Sequence, residues 1–359
     1  MHYGSFNEGS MIRFVISRLL YGGLVLMLVT IIVSSIIYLS PVDPARLTFG
    51  QRMDESTVQS KREQLGLDLP FHRQVLLYLK DVSPIYVGGE KGWRPGYSGY
   101  RFSVGTLQLG IKLPYLRESY QSGADVGDLI MSAFANTLIL SLLALGLAIV
   151  LGISLGLLAG LFHGTWIDKF IILISTIGFS VPSYVTAIVL GVVFGYYLRD
   201  FTGLNIQGSL YEINDLGDEV TIWKNLLLPA IALGLRPVAI ITQLMRSSYL
   251  DEVHKKFVLA AEARGLTRLS VIRDHVLPNA LNPVITALSG WTAALLAGAF
   301  FVEFIFNYKG LGYVTVQALI NYDIPVVLGA LLFTSALFVV INILVDLTYS
   351  FIDPRIKLA

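Results

Sequence analysis

Six long apolar stretches constrain the fold of this chain more than any other feature of its sequence. A helix needs about 20 apolar residues to cross the roughly 30 Å hydrocarbon core of a lipid bilayer. Stretches of about that length or more cover Phe14–Leu39, Phe134–Phe162, Phe170–Leu198, Leu226–Met245, Ala280–Phe306 and Pro325–Phe351. They predict an all-α membrane protein with six transmembrane helices.

The composition agrees with a membrane protein and disfavours several kinds of site. Of the 359 residues, 54% are hydrophobic and 14% are charged, whereas a soluble domain usually has about 25% charged residues. The net charge of +1 supplies no basic face for nucleic acid, so we predict no nucleic-acid partner. The chain has no cysteine and its five histidines lack the spacing of metal ligands, so we predict no metal site.

The distribution of lysine and arginine predicts the orientation of the chain. Cytoplasmic segments near transmembrane helices carry an excess of these residues. With the N-terminus inside, the two short outer loops hold only Arg199, Lys224 and Lys309, and the inner segments hold the larger share. Both termini are therefore predicted to be cytoplasmic. The first span has too long an apolar core for a signal peptide and lacks an A-x-A cleavage site, so we expect a retained anchor.

The spans divide the chain into three regions. Residues 1–39 hold the cytoplasmic N-terminus and the first transmembrane helix, residues 40–133 form an extracytoplasmic insert, and residues 134–359 form a core of five helices. Within the insert, glycine, proline and aromatic residues alternate over Val87–Gly105, which favours short strands and turns. We expect a small lid or docking surface there rather than a separate enzyme domain.

A charged cytoplasmic loop, residues 247–279, separates the fourth and fifth spans. Apolar residues recur at helical spacing over Leu250–Ala261, Gly265 would end that helix, and a second helical piece over Arg268–Val276 would run up to Pro278. One interpretation is an interfacial helix on the inner leaflet. The alternative is a helix that fits a groove of a partner protein, which explains the small alanines better.

Several motifs in the chain resemble a known family. The cytoplasmic loop that marks permease subunits of ATP-binding cassette (ABC) importers has the spacing seen here at Ala260, Ala261, Gly265, Leu277 and Pro278. Leu259 stands where an acid is usual, His275 where an isoleucine is usual, and Lys309 where a proline commonly precedes Gly-Leu-Gly. The oligopeptide, dipeptide and nickel branch is further resembled at Ser40–Pro44, Leu65–Pro70, Met245–Val253, Val302–Gly312, Asn321–Gly329 and Asp346–Arg355.

The resemblance implies a transport subunit of the inner membrane, not an enzyme. Such a permease forms the translocation pathway with a second permease and is coupled to two ATP-binding subunits. An extracytoplasmic solute-binding protein would deliver peptides or similar solutes, and this branch also includes importers of nickel chelates and oligosaccharides. The chain lacks a G-x-x-x-x-G-K-[ST] phosphate loop, so ATP and Mg²⁺ are expected on the partner subunits and no cofactor in this chain.

The resemblance also implies that the charged loop is the coupling helix, which docks on an ATPase subunit. Charged residues would form the rim of that contact, and the alanines and Phe257 its centre. The residues predicted to couple the chain to the ATPase are Phe257, Ala260, Ala261, Glu262, Arg264, Gly265, Leu277 and Pro278.

Four glycines in and just beyond the second span recur every four residues. Gly152, Gly156, Gly160 and Gly164 lay a stripe along one helix face, and such stripes let helices approach closely in lipid. The same run matches G-x-S-x-G around Ser154, a motif of serine hydrolases. That motif needs a strand-turn-helix setting with a base within reach, and a predicted helix does not provide one, so an intramembrane protease is disfavoured.

Three ionisable residues fall within or near the predicted spans: Arg236, Glu303 and Asp346. A charge at the bilayer centre costs about 2.5–3.5 kcal/mol on insertion scales, so each should have a partner or a water-filled path. Arg236 precedes Pro237, where a helix kink would free carbonyl groups. Either Arg236 pairs with Glu303 or Asp346 and locks the helices together, or it lines the pathway and meets a substrate carboxylate.

Two other functions are compatible with parts of the sequence. An ion-coupled secondary transporter usually has inverted internal repeats and helices broken at the middle of the membrane. The chain has no clear repeat, and six spans are few for that class. A non-transporting membrane scaffold would tolerate replacement of the charged loop without loss of uptake.

Overall fold

The computed structural model describes residues 8–38, 59–60, 62–63, 68–89, 92–94, 96–105 and 107–352. The resemblance motif at Ser40–Pro44, the start of the one at Leu65–Pro70 and the last residues of the one ending at Arg355 lie outside the described residues, as do both chain termini. The helices are α1 Glu8–Tyr38, α2 Phe71–Val82, α3 Val126–Leu161, α4 Trp166–Ser180, α5 Ser183–Leu190, α6 Arg199–Thr202, α7 Leu227–Val253, α8 Lys256–Ala263, α9 Arg268–Val271, α10 Leu277–Gly298, α11 Phe300–Ile305, α12 Leu311–Ile320 and α13 Ile324–Ile352. The strands are β1 Ile85–Gly88, β2 Gly99–Val104, β3 Leu107–Lys112, β4 Tyr211–Ile213 and β5 Glu219–Thr221.

The described part of the chain has a mostly helical membrane fold. Four of its helical stretches are long and apolar enough to cross a bilayer: Ile16–Ile36, Val126–Leu161, Trp223–Val253 and Ile324–Leu347. A fifth span results if the bent pair of α4 and α5, with the π-helical turn that follows α5, counts as one. The six spans predicted from the sequence stay a prediction.

The third predicted span, Phe170–Leu198, is not one straight helix. The helix axis bends by 106° between α4 and the stretch Ser183–Tyr197, which holds α5 and the π-helical turn. The break contains Pro182, and the residue before a proline is driven out of the helical region by a clash with the proline ring. Val181 accordingly has extended backbone angles, φ −82° and ψ 128°. By contrast, Pro237 lies inside α7 without ending that helix.

The fifth predicted span, Ala280–Phe306, is also wrong as a single helix. α10 starts earlier, at Leu277, and ends at Gly298. Ala299, with φ −76° and ψ 1°, separates it from the short α11. The chain then turns and continues as α12.

Between α2 and α3 lies a small antiparallel sheet with strand order β1-β3-β2. The strands expected in the glycine-rich patch are therefore present. Asp81, at the end of α2, is buried beside this sheet, and its carboxylate accepts hydrogen bonds from Arg94 (3.0 Å), Arg117 (2.8 Å) and the Tyr97 hydroxyl (2.5 Å). Burial lowers the pKa of Lys112, whose amino group lies 4.2 Å from the centre of the Tyr97 ring.

The chain folds into two compact units. One holds the described residues up to Phe134 together with Val314–Val339. In its core, Tyr78 of α2 is buried with Ile324 and Leu328 of α13.

The second unit holds Ala135–Tyr313 and the described residues from Val340 onward. It contains two apolar clusters. One cluster packs the first half of α7 with residues of α3, α10 and α11, and includes Leu140, Leu233, Leu295 and Phe306. The other packs the second half of α7 with the charged loop, and it is the part of the fold that positions the candidate site.

Candidate functional site

The charged loop after α7 forms a helix, a tight turn and a second helical segment. α8 covers Lys256–Ala263, and Gly265 follows with φ +84°, a left-handed conformation that glycine adopts without strain. Thr267 precedes α9, and its side-chain oxygen accepts a hydrogen bond from the amide of Ser270 at 3.4 Å. The first helix and the turn at Gly265 are those predicted from the sequence, while the predicted helix over Arg268–Val276 divides into α9 and a π-helical turn.

The inner face of this loop is anchored to the core of its own chain. Val258 and Ala261 of α8 are buried together with Met245 and Tyr249 of α7 and Val276 beyond α9. Ala261 was expected at the centre of a contact with a partner. In this structure the alanine side chain faces inward and packs α8 on α7, and its part in coupling stays a prediction.

The outer face of the loop is an exposed apolar surface rimmed by charges. Of the residues predicted for coupling, those exposed to solvent are Phe257, Ala260, Glu262, Arg264, Gly265 and Pro278, while Leu277 is half-buried. Three large apolar residues that the prediction missed are also exposed: Leu259, Leu266 and Leu269. Consecutive residues of a helix are rotated by about 100°, so Leu259 does not share the face of its buried neighbour Val258. That rotation was the available signal in the sequence that Leu259 would be exposed. We call Phe257, Leu259, Ala260, Leu266 and Leu269 the docking surface.

Charged pairs at the edges of the loop are fixed within the loop itself. Lys255 lies 2.5 Å from the Glu252 carboxylate. Asp274 accepts hydrogen bonds from the Arg273 guanidinium at 2.7 Å and from the Ser270 hydroxyl at 3.0 Å. Arg273, and secondly Ser270, lower the pKa of Asp274. This carboxyl is therefore held in its charged form.

The second helical segment does not end at Pro278. Residues Ile272–Val276 form a π-helical turn, and the amide of Leu277 donates to the carbonyl of Ile272, five residues back. α10 follows with Pro278 in its first turn, where its missing amide hydrogen is tolerated. A helical path therefore runs from α9 into α10, and Leu277 and Pro278 mark its wider π turn instead of its end.

Three glycines of the predicted stripe lie against α7. A Cβ atom at Gly152 would lie 2.7 Å from the Ile241 Cβ, one at Gly156 would lie 2.6 Å from the Met245 Cβ, and one at Gly160 would lie 2.5 Å from the Tyr249 ring. The glycines repeat every four residues on α3, as do their partners on α7. This spacing lets the two helices meet closely over two turns.

Gly164 does not belong to that stripe, which is a correction to the prediction. α3 ends at Leu161, and Gly164 lies in the following turn with φ +79°, where an added Cβ would meet nothing within 4 Å. Its role is conformational, because few other residues adopt that backbone geometry.

The three ionisable residues of the predicted spans lie in different surroundings. Glu303 is fully buried and accepts hydrogen bonds from Thr137 and from the backbone amides of Gly312 and Tyr313. Arg236 is an exposed residue, and its guanidinium lies 5.4 Å from the centre of the Phe179 ring. The suggested Arg236–Glu303 pair is therefore not formed. Asp346 is half-buried in α13.

Comparison with known proteins identifies the family of the chain. The family model described as binding-protein-dependent transport system inner membrane component matches residues 152–358, and the model of its N-terminal region matches residues 11–141. The chain is 31% identical to the dipeptide transport system permease protein DppB of Alkalihalophilus pseudofirmus, over 97% of this chain and 100% of that one. It is 29% identical to the glutathione transport system permease protein GsiC of Escherichia coli K12, over 97% and 99% of the two chains.

A solved structure has a similar fold. An inward-facing conformation of the MetNI methionine ABC transporter matches 63% of this chain and 97% of its own with a TM-score of 0.50, at 18% identity. The chain belongs to the family of binding-protein-dependent transport system inner membrane components, and it is a multi-pass permease subunit of an ABC importer, in which separate subunits hydrolyse ATP.

Proposed function

We propose that this permease carries peptides or peptide-like solutes. DppB and GsiC are named for the transport of a dipeptide and of glutathione, and both match nearly the whole length of this chain. Family membership implies partnership with an ATPase and with a solute-binding protein. Family membership also argues against an ion-coupled secondary transporter, because that is a different class of protein.

The proposed assembly contains a second homologous permease, two ATP-binding subunits that hold ATP and Mg²⁺, and an extracytoplasmic solute-binding protein. In this arrangement the chain crosses the membrane six times with both termini cytoplasmic. Residues 1–39 hold the first transmembrane helix, 40–133 the extracytoplasmic insert, and 134–359 the five-helix core with the coupling loop 247–279. The three-stranded sheet of the insert supports a small folded outer region.

The docking surface is proposed as the contact with the ATPase. One observation carries this proposal: large apolar side chains face outward on a loop whose inner face is packed into the core of its own chain. Leu259 is 63% exposed and Leu269 is 77% exposed, whereas Val258 is 3% exposed. An exposed apolar patch with a charged rim is typical of a protein contact. The packed inner face would transmit movement of the ATPase to α7.

Cross-linking tests this contact directly. The chain has no cysteine, so Leu259→Cys introduces a single thiol at the docking surface. We expect it to cross-link to the ATPase subunit in the assembled importer, and the yield to change when ATP is added. Ile213→Cys is the matched control, because Ile213 is 75% exposed on the β4–β5 hairpin, which the predicted topology places outside the cell. Equal cross-linking from both positions would contradict the proposal.

Arg236 is proposed to line the translocation pathway. An exposed guanidinium in a membrane-spanning helix is costly unless it faces water or a partner. In the described part of the chain its charged group stacks on Phe179 and forms no ion pair. A cation held over an aromatic ring keeps its outward-facing donors available for a substrate carboxylate.

A further inference from the structure

A buried carboxylate joins the turn between α3 and α4 to the second half of α7. Asp168 in the first turn of α4 is 3% exposed. Its Oδ1 lies 2.6 Å from Nε of Arg246, and its Oδ2 lies 2.8 Å from Nη2 of the same guanidinium. Two parallel charge-assisted hydrogen bonds of this kind fix both the distance and the orientation of the groups they join.

The turn itself is closed around this carboxylate. The amide of Gly164 donates to Oδ2 of Asp168 at 3.0 Å. Nδ1 of His163 lies 3.1 Å from that oxygen and 3.1 Å from Nη2 of Arg246. The positive φ of Gly164 brings its amide into this position. The Asp168 side chain therefore binds both the α3–α4 turn and α7.

Arg246 lies on α7 beside residues that contact both the charged loop and α3. Its neighbours Met245 and Tyr249 are buried with Val258 and Ala261 of α8. The same two side chains meet Gly156 and Gly160 of α3. These apolar contacts resist separation, but they are not directional, and helices packed through them can slide or rotate. The bidentate pair between Asp168 and Arg246 has a defined geometry, so it adds a directional contact that resists sliding.

We infer that the Asp168–Arg246 ion pair is a positioning contact that makes the α3–α4 turn move together with the charged loop when the ATPase displaces that loop. The inference rests on the docking proposed above. Loss of either partner leaves the other charge without its counterion in a partly buried place, and the directional link between α4 and α7 is then lost although their apolar packing stays. The apolar packing of the loop on α7 remains.

A distance measurement within the assembled importer tests this inference without knowledge of the solute. Spin labels on Trp166→Cys in the first turn of α4 and on Lys256→Cys in α8 report the separation of the turn and the loop, since both side chains are exposed. With the ion pair intact, we expect the same distance distribution without nucleotide and with ATP and vanadate. With Arg246→Gln or Asp168→Asn, we expect the distribution to shift or broaden when ATP and vanadate are added.

Two further variants make the result decisive. Lys169→Gln removes an exposed cation beside the ion pair and should behave as the parent chain does. Arg246→Lys keeps the charge but loses the bidentate geometry, and it should give an intermediate shift. If the Arg246→Gln variant does not assemble, Arg246→Lys is measured in its place. An assembled variant whose distances respond to nucleotide as the parent's do would overturn the inference.

The proposed docking has its own separate readout. A second label pair, on Lys256→Cys and Ile213→Cys, should change its separation with ATP and vanadate in the parent chain. If that pair does not respond, the docking proposal fails. If it responds and the Arg246 and Asp168 variants still leave the Trp166–Lys256 distances unchanged, only the positioning role fails.

Discussion

The hydroxyl of Thr137 donates to Oε1 of Glu303 at 2.7 Å, and Oγ1 of Thr137 accepts a hydrogen bond from the amide of Leu311 at 2.8 Å. Oε2 of Glu303 accepts the amides of Gly312 and Tyr313 at 2.8 and 3.2 Å. A buried carboxylate and a threonine from α3 therefore satisfy amides at the start of α12 that have no partner within that helix. The Glu303 carboxyl group also lies at the positive end of the helix dipole.

This arrangement predicts the effect of Thr137→Val. The valine keeps the shape of the side chain but leaves the Leu311 amide and one carboxylate oxygen without their buried partner. We expect a loss of about 1–3 kcal/mol of stability, the usual cost of an unsatisfied buried polar group. Thermal unfolding of the detergent-purified protein measures it. Thr186→Val is the control, because the Thr186 hydroxyl is exposed and has only a long hydrogen bond of 3.5 Å. Equal stability of the two variants would contradict this role of Thr137.

The close contact between α3 and α7 predicts that Gly156→Val separates these helices. A Cβ at Gly156 would lie 2.6 Å from the carbonyl oxygen of Thr242, which is backbone and cannot rotate away. We expect a destabilisation of about 1–3 kcal/mol or more, as for overpacked cores, and lower uptake. Gly146→Val on the same helix is the control, since a Cβ there meets nothing within 4 Å. Thermal unfolding of both variants decides the point.

A negative charge on the docking surface should weaken assembly with the ATPase. Leu269→Glu places a carboxylate where an apolar contact is proposed. We expect at least about a tenfold loss of affinity, since central residues of protein contacts often contribute about 2 kcal/mol or more. The amount of ATPase that co-purifies with the permease is the readout. Leu216→Glu alters a residue that is 86% exposed on the β4–β5 hairpin, and its complexes should form normally. Unimpaired assembly of Leu269→Glu would exclude that residue from the contact.

The pathway role of Arg236 predicts selectivity between solutes. Arg236→Ala should reduce ATP-driven uptake of a dipeptide more than uptake of the same dipeptide with its carboxyl group esterified. A bidentate contact with a carboxylate also distinguishes arginine from lysine, so Arg236→Lys should restore uptake only in part. An equal loss for the free acid and the ester would favour a purely structural role.

The contacts of buried Asp81 predict that its replacement loosens the sheet in the insert. Asp81→Asn removes the negative charge that faces Arg94 and Arg117, so two cations lose their counterion beside a buried group. Breaking a buried pair costs about 3–5 kcal/mol, and the partial exposure of Arg94 favours the lower end of that range. Limited proteolysis should cut the 85–112 segment faster in this variant. Asp215→Asn, in the exposed β4–β5 hairpin, should leave the cutting rate unchanged.

Local sequence signals succeeded where the chain decides its own conformation. Apolar length identified the long helices, because a bilayer span depends on composition more than on neighbours. Gly265 correctly marked the end of α8, since a left-handed residue is a local requirement. Three glycines of the four-residue period, Gly152, Gly156 and Gly160, lie against α7, whereas Gly164 lies beyond α3 because the period continues past the end of the helix.

Local signals failed where the outcome depended on a partner. Ala261 resembles Ala260 in the sequence, but only the position of α7 decides that one is buried and the other exposed. Pro237 and Pro182 are the same residue type, yet α7 continues through the first and α4 ends before the second. A proline can be accommodated inside a helix when its surroundings compensate for the lost hydrogen bond.

The sequence by itself therefore determined the class of this protein: its apolar stretches, its short motifs and its family membership all follow from the order of residues. Only the tertiary structure decided which charges meet. Asp168 and Arg246 are far apart in the chain, as are Thr137 and Glu303, and no periodic pattern connects either pair. Such contacts form because a buried polar group must find a partner wherever the packing of helices brings one within reach.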